Sequence, residues 1–474
     1  MRRNLLFSLL LAALLAGCAM GPDYVRPDLG LPDAGEVEAS RFAPFTAIDW
    51  WKLFNDPTLD RIELEALACN HDLAGAIARV DEARALARIA FADRLPAAGL
   101  EAGAVRGRTT GEAQKPGESR TYDSFDLLGI ASFELDLWGK YRRLDQAARA
   151  ELLATEAARD AVRLTLTADV AAFYFRLRTL QDQTRIARDQ LATYDTSCEM
   201  YRKRYKYGYT QELDLRRIEA DRLATEALVY QRENELSQAE TALAVLLGRS
   251  PLHIIEGFSE GGKTLEELNI YPAVPGNLPS DLLERRPDIR AVEGTLMAAN
   301  ARIGAARAAL FPSISLTGDY GNISSELNHL FSSGANVWTA SAVIAQPVFE
   351  GGRLLAREKA ERARREQMLA HYEKTVQNAF REARDALVAG TKTAQVLHSS
   401  LERARAMRRS LELSQKQHAH GYISIIDVLD IQRQSLRAEL DLSEARLNQL
   451  DSVIALCRTL GGGWHEQTGF TGDR

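Results

Sequence analysis

From Lys140 to Tyr207 the chain has neither glycine nor proline, and Ala, Leu, Arg, Glu and Gln fill most of it. Nothing in such a run breaks a helix. As one α-helix it is about 100 Å long at ~1.5 Å per residue, roughly three times the thickness of a bilayer core. Gly208 ends the run, and a second breaker-free stretch, Tyr209 to Leu247, follows at once. Ala147, Ala150, Ala154, Ala157, Ala161, Leu164, Ala168, Ala171 and Phe175 recur at alternating spacings of 3 and 4. This is a heptad seam whose small residues let neighbouring backbones approach closely. The pattern predicts a long coiled-coil hairpin that turns at Gly208.

The second half of the chain answers the first at an offset of 213 residues. Gly139 falls on Gly352, Gly208 on Gly421, Asp214 on Asp427, and Leu247-Gly248 on Leu460-Gly461. Ala-Arg-Ile precedes Leu95-Pro96 and again Phe311-Pro312. Breakers at one fixed offset mark two copies of a unit of about 200 residues: helix, strand pair, long helix, tight tip, long helix. The second copy alone carries Gly390 in its long helix, where a bend is expected.

Arg2 and Arg3 form a basic start, Leu5 to Leu15 an apolar stretch, and Leu15-Ala16-Gly17-Cys18 follows. This has the form of a secretory signal and resembles a bacterial lipoprotein signal. The resemblance implies cleavage before Cys18, lipid on that cysteine and, with Ala19 next, an outer-membrane address. The apolar stretch is too short to span well, and no other run is long enough. Cys69, Cys198 and Cys457 have no spacing for a disulfide framework or a zinc site. The net charge of −6 gives no reason to expect a nucleic-acid partner.

The expected layout is a signal peptide at 1–17, a lipidated tether at 18–48, a first repeat at 49–248, a connector at 249–284, a second repeat at 285–462 and a tail at 463–474. Asp56 suits a helix N-cap and Pro57 the first helical position. One helix is expected from Thr58 to about Arg94, with Trp50 and Trp51 docked onto helices. Within 97–138, Phe125, Leu127, Ala131, Phe133 and Leu135 alternate with Ser124, Asp126, Ser132 and Glu134. Within 312–349, Ile314, Leu316 and Tyr320 alternate with Ser313, Ser315, Thr317 and Asp319, and Trp338, Ala340, Ala342 and Ile344 more weakly with Val337, Thr339, Ser341 and Val343. Period-two alternation means strands with one apolar and one polar face. The intervening stretches, Thr109–Arg120 and Gly321–Asn336, read as loops. The result is about four strands, each near the length that crosses a bilayer when tilted.

Four strands force an oligomer. A four-stranded sheet has two open edges, and lipid cannot satisfy their N–H and C=O groups. Four strands are also too few to close a barrel around a channel. Three chains would give twelve strands and a wide lumen, two chains eight and a filled interior.

The lipoprotein signal, Trp50-Trp51 with Phe54 and Asp56-Pro57, the run Leu278-Pro279-Ser280-Asp281-Leu282-Leu283-Glu284-Arg285-Arg286-Pro287-Asp288-Ile289, and Asn300-Ala301-Arg302-Ile303-Gly304 leading to Phe311-Pro312-Ser313 together resemble outer-membrane efflux lipoproteins of the TolC-like family, NodT/OprM type. The resemblance covers nearly the whole chain. It implies a mainly α protein with a β-barrel part: a homotrimer with a twelve-stranded outer-membrane barrel and a periplasmic α-helical tube. It also implies partners, namely a periplasmic adaptor and an inner-membrane pump of the resistance-nodulation-division type. The hairpin tips that meet the adaptor would be Tyr207-Gly208-Tyr209 and His420-Gly421-Tyr422. The family's small apolar residue before the glycine is replaced here by Tyr207 and His420.

Asp427 and Asp430 are three residues apart, on one helix face, directly after the second tip. Asp214 holds the equivalent place after the first. In a trimer each becomes a ring of carboxylates, which favours cations and can constrict a pore. The resemblance implies a periplasmic gate at Asp427 and Asp430. Ile423 and Ile425 offer a hydrophobic constriction instead. His418 and His420 do not share a helix face, so no metal site is expected. No nucleophile–base pair, phosphate-binding loop or metal cluster is present, so the expectation is no enzyme, no cofactor beyond the lipid on Cys18, and a passive duct. The alternatives are a duct of type I secretion and a structural coiled-coil lipoprotein without a pore.

Overall fold

A computed structural model of the chain describes residues 19–29, 48–110, 112, 120–256, 261–268 and 285–462. The signal peptide, Cys18, most of the tether, the 257–260 and 269–284 parts of the connector, most of the loop expected at 109–120 and the tail lie outside the described residues. In order, the elements are α1 Pro57–Cys69, α2 His71–Ala92, β1 Ala97–Arg108, β2 Thr121–Leu135, α3 Lys140–Lys206, α4 Glu212–Leu246, α5 Pro251–Glu256, α6 Pro287–Ala308, β3 Ser313–Ser324, β4 Asn336–Ala345, α7 Arg353–Ala419 and α8 Ile425–Thr459. The repeat is carried to the residue. Helices α3 and α7 each have 67 residues, α4 and α8 each have 35, and both pairs sit at the 213 offset. The glycines that end them, Gly139/Gly352, Gly208/Gly421 and Gly248/Gly461, all take positive φ. Only glycine adopts that conformation without a steric penalty, so these positions set the helix lengths. Helix α7 runs unbroken through Gly390.

The chain divides into two compact units. The first holds Arg79–Glu156 and Ala291–Glu373 together with the N-terminal residues to Asp28. Its sheet has the order β1-β2-β3-β4, antiparallel throughout. The expected loop at Gly321–Asn336 starts later than its glycine suggests, because β3 continues to Ser324 and Asn322 pairs with both Leu127 and Asn336. Below the sheet ends, Trp138 stacks on Phe311 at 4.9 Å and donates from Nε1 to the Pro312 carbonyl at 2.7 Å. Helix α6 packs on the alanine seam of α3, with Ala147 and Ala150 against Ala298 and Ala301.

The tether expectation needs correction for residues 19–28, which form a docked strap. Met20 N–H donates to Trp138 O at 3.0 Å, and the Arg143 guanidinium donates to Met20 O, Gly21 O and Asp23. Asn300 donates to Pro22 O, and Tyr24 and Arg26 both reach Glu293. A Cβ on Gly21 would stand 2.4 Å from the Gly304 Cα, so strap and helix meet backbone to backbone. Extended, proline-containing chain read as free linker, but these specific partners hold it.

The second unit holds Leu29–Ala78, Ala157–Arg290 and the chain from Lys374. Its core gathers Trp50, Trp51, Phe54, Leu59 and Ile62 against the Ala168, Ala171 and Phe175 stretch of α3 and the Leu450, Ile454 and Cys457 stretch of α8. The tryptophans dock as expected: Trp50 Nε1 donates to Thr167 Oγ1 at 3.3 Å, and Phe54 meets Phe175 edge-on at 4.7 Å. Asp56 caps α1 by accepting from Thr58 N, and its other oxygen accepts from Tyr174 Oη at 2.5 Å. Burial and that carboxylate push the Tyr174 hydroxyl well above its ordinary value. The single helix expected from Thr58 to Arg94 is instead two. Asn70 separates them with extended backbone: its Oδ1 accepts from Leu73 N and its Nδ2 donates to Leu246 O. Gly248 abuts this break, where a Cβ would lie 2.1 Å from Cys69 O. Of the connector, Leu265 and Leu268 are buried in the same core.

Two buried ionisable groups are informative. Arg286, from the Arg-Arg-Pro-Asp run, bonds Asp288 and Glu382 at 2.7 and 2.9 Å and reaches Thr459 O at the end of α8. Its carboxylate partners are part-exposed, so removing Arg286 loses charged hydrogen bonds worth about 2 kcal/mol and leaves no charge stranded in the core. Arg286→Ala is expected to lower the thermal midpoint followed by helical circular dichroism, and an unchanged midpoint would remove that role. Glu63 is fully buried and neither carboxyl oxygen has a partner. Burial, aided by the nearby Asp60, raises its pKa well above the carboxylate range. As pH rises from the unfolded value toward the folded one, the unfolded chain loses a proton that the native state keeps, so stability falls. Glu63→Gln should therefore match the parent near pH 4 and exceed it at pH 8, read as midpoints at both pH values.

Candidate functional site

The two tips are built alike. In each, the last turn of a 67-residue helix ends at a positive-φ glycine and the next helix starts four residues on. Tyr207, Tyr209 and Tyr422 are 70%, 82% and 80% exposed, and Gly208 and Gly421 have open space where a Cβ would be. His420 lies 6.3 Å from the Tyr422 ring, centre to centre. Behind the tips, Tyr194, Cys198, Tyr201, Leu215, Ile218 and Leu429 form a small core. Tyr201 Oη and His418 Nε2 are 2.9 Å apart, and His418 Nδ1 is 3.0 Å from Ile423 O. His418 thus ties α3 to the second tip and has no nitrogen to spare. Ile425 packs half-buried against this core.

The aspartates have local work. Asp427 completes a capping box on α8: its carboxylate accepts from Ser424 N at 3.0 Å while Ser424 Oγ accepts from Asp427 N. Asp430 accepts from Arg433 and Gln434, and Arg433 also reaches Asp221 at 3.3 Å. Asp214 accepts from Thr210 Oγ1 at 3.1 Å. Asp214 and Asp427 occupy the same first-turn position, where negative charge suits the helix dipole. Asp427 and Asp430 remain exposed and Asp214 half-buried. Sequence spacing placed these carboxylates on one face but did not show that one of them closes a cap. The signal was present as Ser424 three residues before Asp427.

The sheet is the other candidate region. Register places Leu100, Phe125, Leu127, Phe133, Leu135, Ile314, Leu316, Ala340, Ala342 and Ile344 on one face, with Tyr320 directly opposite Trp338. Those two rings are 66% and 72% exposed, the pattern of an aromatic girdle at a membrane interface. The other face is mixed: Ser132, Ser315, Thr317, Thr339 and Ser341 with Glu101, Asp126, Glu134 and Asp319, interspersed with Leu128, Ile130, Ile323 and Val343. Both β1 and β4 have one unpaired edge. Among the described residues no helix is long and apolar enough to cross a membrane, and no group of three His, Cys, Asp or Glu is placed to hold a metal.

A sheet with one apolar and one more polar face, open at both edges, in a chain with two long helical hairpins, defines a subunit of a strand-pooling outer-membrane channel. The sequence model described as "Outer membrane efflux protein" matches residues 64–249 and 278–462, one match for each repeat. The chain is 34% identical to the probable efflux pump outer membrane protein TtgC of Pseudomonas putida over 477 aligned positions, covering 99% of this chain and 97% of TtgC. It is 33% identical to the probable outer membrane lipoprotein SilC of Salmonella typhimurium, covering 96% and 97%. The open state of the Neisseria gonorrhoeae MtrE outer membrane channel superposes with a TM-score of 0.83 at 31% identity, covering 94% of this chain and 98% of that one. The chain belongs to the outer membrane efflux protein family.

Replacing Asp427 by Ala opens the capping box and costs roughly 1 kcal/mol locally. Amide exchange at residues 424–428 is expected to accelerate several-fold in that variant and to stay at the parent rate in Asp430→Ala. Equal exchange in both would mean that the cap is not formed in solution.

Proposed function

We propose that three copies of this chain form a passive outer-membrane channel of a tripartite efflux system. They pool four strands each into a twelve-stranded barrel and their long hairpins into an α-helical tube. The observation that carries this reading is the sheet: one lipid-suited face, one water-suited face and two unpaired edges. Within lipid the edges must be paired, and another copy's β1 and β4 are the matching partners. Cys18, just before the docked strap, is the proposed lipidation site.

The cargo is small molecules, drugs or other toxic compounds, delivered by an inner-membrane resistance-nodulation-division pump through a periplasmic adaptor. Tyr207-Gly208-Tyr209 and His420-Gly421-Tyr422 are the proposed docking tips, supported by their exposure and open glycines. Asp427, Asp430 and Asp214 are the proposed gate. Their exposure and their place in the first turns after the tips support it, and the trimer turns each into a ring of three. Carboxylate rings draw cations and restrict a pore while narrow.

Reconstituted in planar bilayers, the parent trimer should conduct weakly and prefer cations. Asp430→Ala should raise conductance without loss of stability, and Asp427→Ala should raise it together with the local fraying described above. No conductance from either variant under any condition would contradict the channel.

A further inference from the structure

The two tips share a backbone but not a charge. At the 213 offset, Lys203 corresponds to Lys416, Arg204 to Gln417, Tyr205 to His418, Lys206 to Ala419, Tyr207 to His420 and Arg217 to Asp430. All of the first-tip residues in that series are exposed. Lys416 is neutralised by Glu412 at 2.8 Å. Lys203, Arg204 and Lys206 have no ion pair with a carboxylate among the described residues, and Arg204 lies over the Tyr201 ring at 5.4 Å. Arg202, beside them, is already spent on Glu219 at 3.0 Å.

Bases in the last turn suit the negative end of the helix dipole. That accounts for one or two of them. Helix α7 ends at the equivalent place with only Lys416 and His418 in its last turn, so the same backbone does not need the extra cations. Unpaired like charges within four residues repel each other, so beyond the one or two that the dipole favours a lone chain gains little from them. Flanked by Tyr207 and Tyr209, they form a cationic aromatic surface of the kind that anchors protein contacts.

We propose that the first tip, Lys203–Tyr209, is the electrostatic anchor for an acidic segment of the periplasmic partner, and that the second tip, which lacks the unpaired cations, is a separate contact. This rests on the reading that the tips dock an adaptor and names the chemistry that the adaptor brings. In the assembled ring the two kinds of tip alternate, so a partner reads the rim as two classes of site. The acidic segment belongs at the first class, and its attachment there weakens with salt.

The test uses the full-length chain in the cells that produce it. A photo-reactive phenylalanine replaces Tyr207 in one strain and Tyr422 in another, and the cross-linked protein and peptide are identified by mass spectrometry. The expected result is one periplasmic protein captured at both positions, with an Asp- and Glu-rich peptide at position 207 only. In the triple variant Lys203→Gln, Arg204→Gln, Lys206→Gln, capture at 207 should fall about tenfold, as the loss of a few exposed ion pairs predicts. Capture at 422 should persist, which also reports that the variant is folded. A conservative Lys203→Arg, Lys206→Arg variant should capture as the parent does. The same periplasmic protein captured through a neutral or basic peptide, or undiminished capture in the triple variant, overturns the charge assignment and leaves docking intact. No periplasmic protein at either position overturns docking itself, and the charge assignment with it.

Discussion

Everything in this chain follows from two rows of backbone groups that the chain cannot satisfy alone. Strands β1 and β4 each end the sheet with unpaired N–H and C=O groups. In water such an edge is a hazard that proteins blunt; in lipid it is prohibitive. The apolar face, with Tyr320 opposite Trp338 at one level, states which solvent the sheet meets. A chain that must meet lipid, cannot close and offers both edge types is a component of a larger ring.

The repeat supplies the second constraint. Each copy turns at glycines whose positive φ recurs at one offset, so both hairpins have equal length and present their tips alike. Where the copies differ, the difference marks a task that only one of them has. Arg143, which clamps the strap, has Ala356 as its counterpart, and two of the first tip's three cations, Arg204 and Lys206, correspond to Gln417 and Ala419 in the second. Duplication thus gives the frame, and departures from it give the specific contacts.

Much of this was legible in the residues. Helix ends fell where glycine spacing placed them, because a positive-φ residue is a local requirement visible one position at a time. The heptad alanines, Ala161 apart, were buried because their period is a property of the helix itself. Strand faces were legible even for the weakly alternating β4, since period two survives small residues. What escaped depended on partners distant in sequence. Asn70 breaks a helix because the Leu246 carbonyl lies beside it. The strap is ordered because Arg143, Asn300 and Glu293 converge on it. Ile425 packs half-buried against the small core behind the tips, a contact that spacing alone does not reveal. Asp427 was read for its charge when its first use is a hydrogen bond to its own helix.

The account stands or falls on edge-to-edge pairing between copies. Its most direct measurement is disulfide trapping between single cysteines scanned along β1, at Ala98, Ala102 and Ala104, and along β4, at Ala340 and Ala342, in a Cys69→Ser background purified from outer membranes. The account predicts that at least one β1–β4 pairing yields a covalent trimer on a denaturing gel, because the two edges lie about 5 Å apart along a ladder. Folded protein in which no pairing gives a product larger than one chain would contradict it.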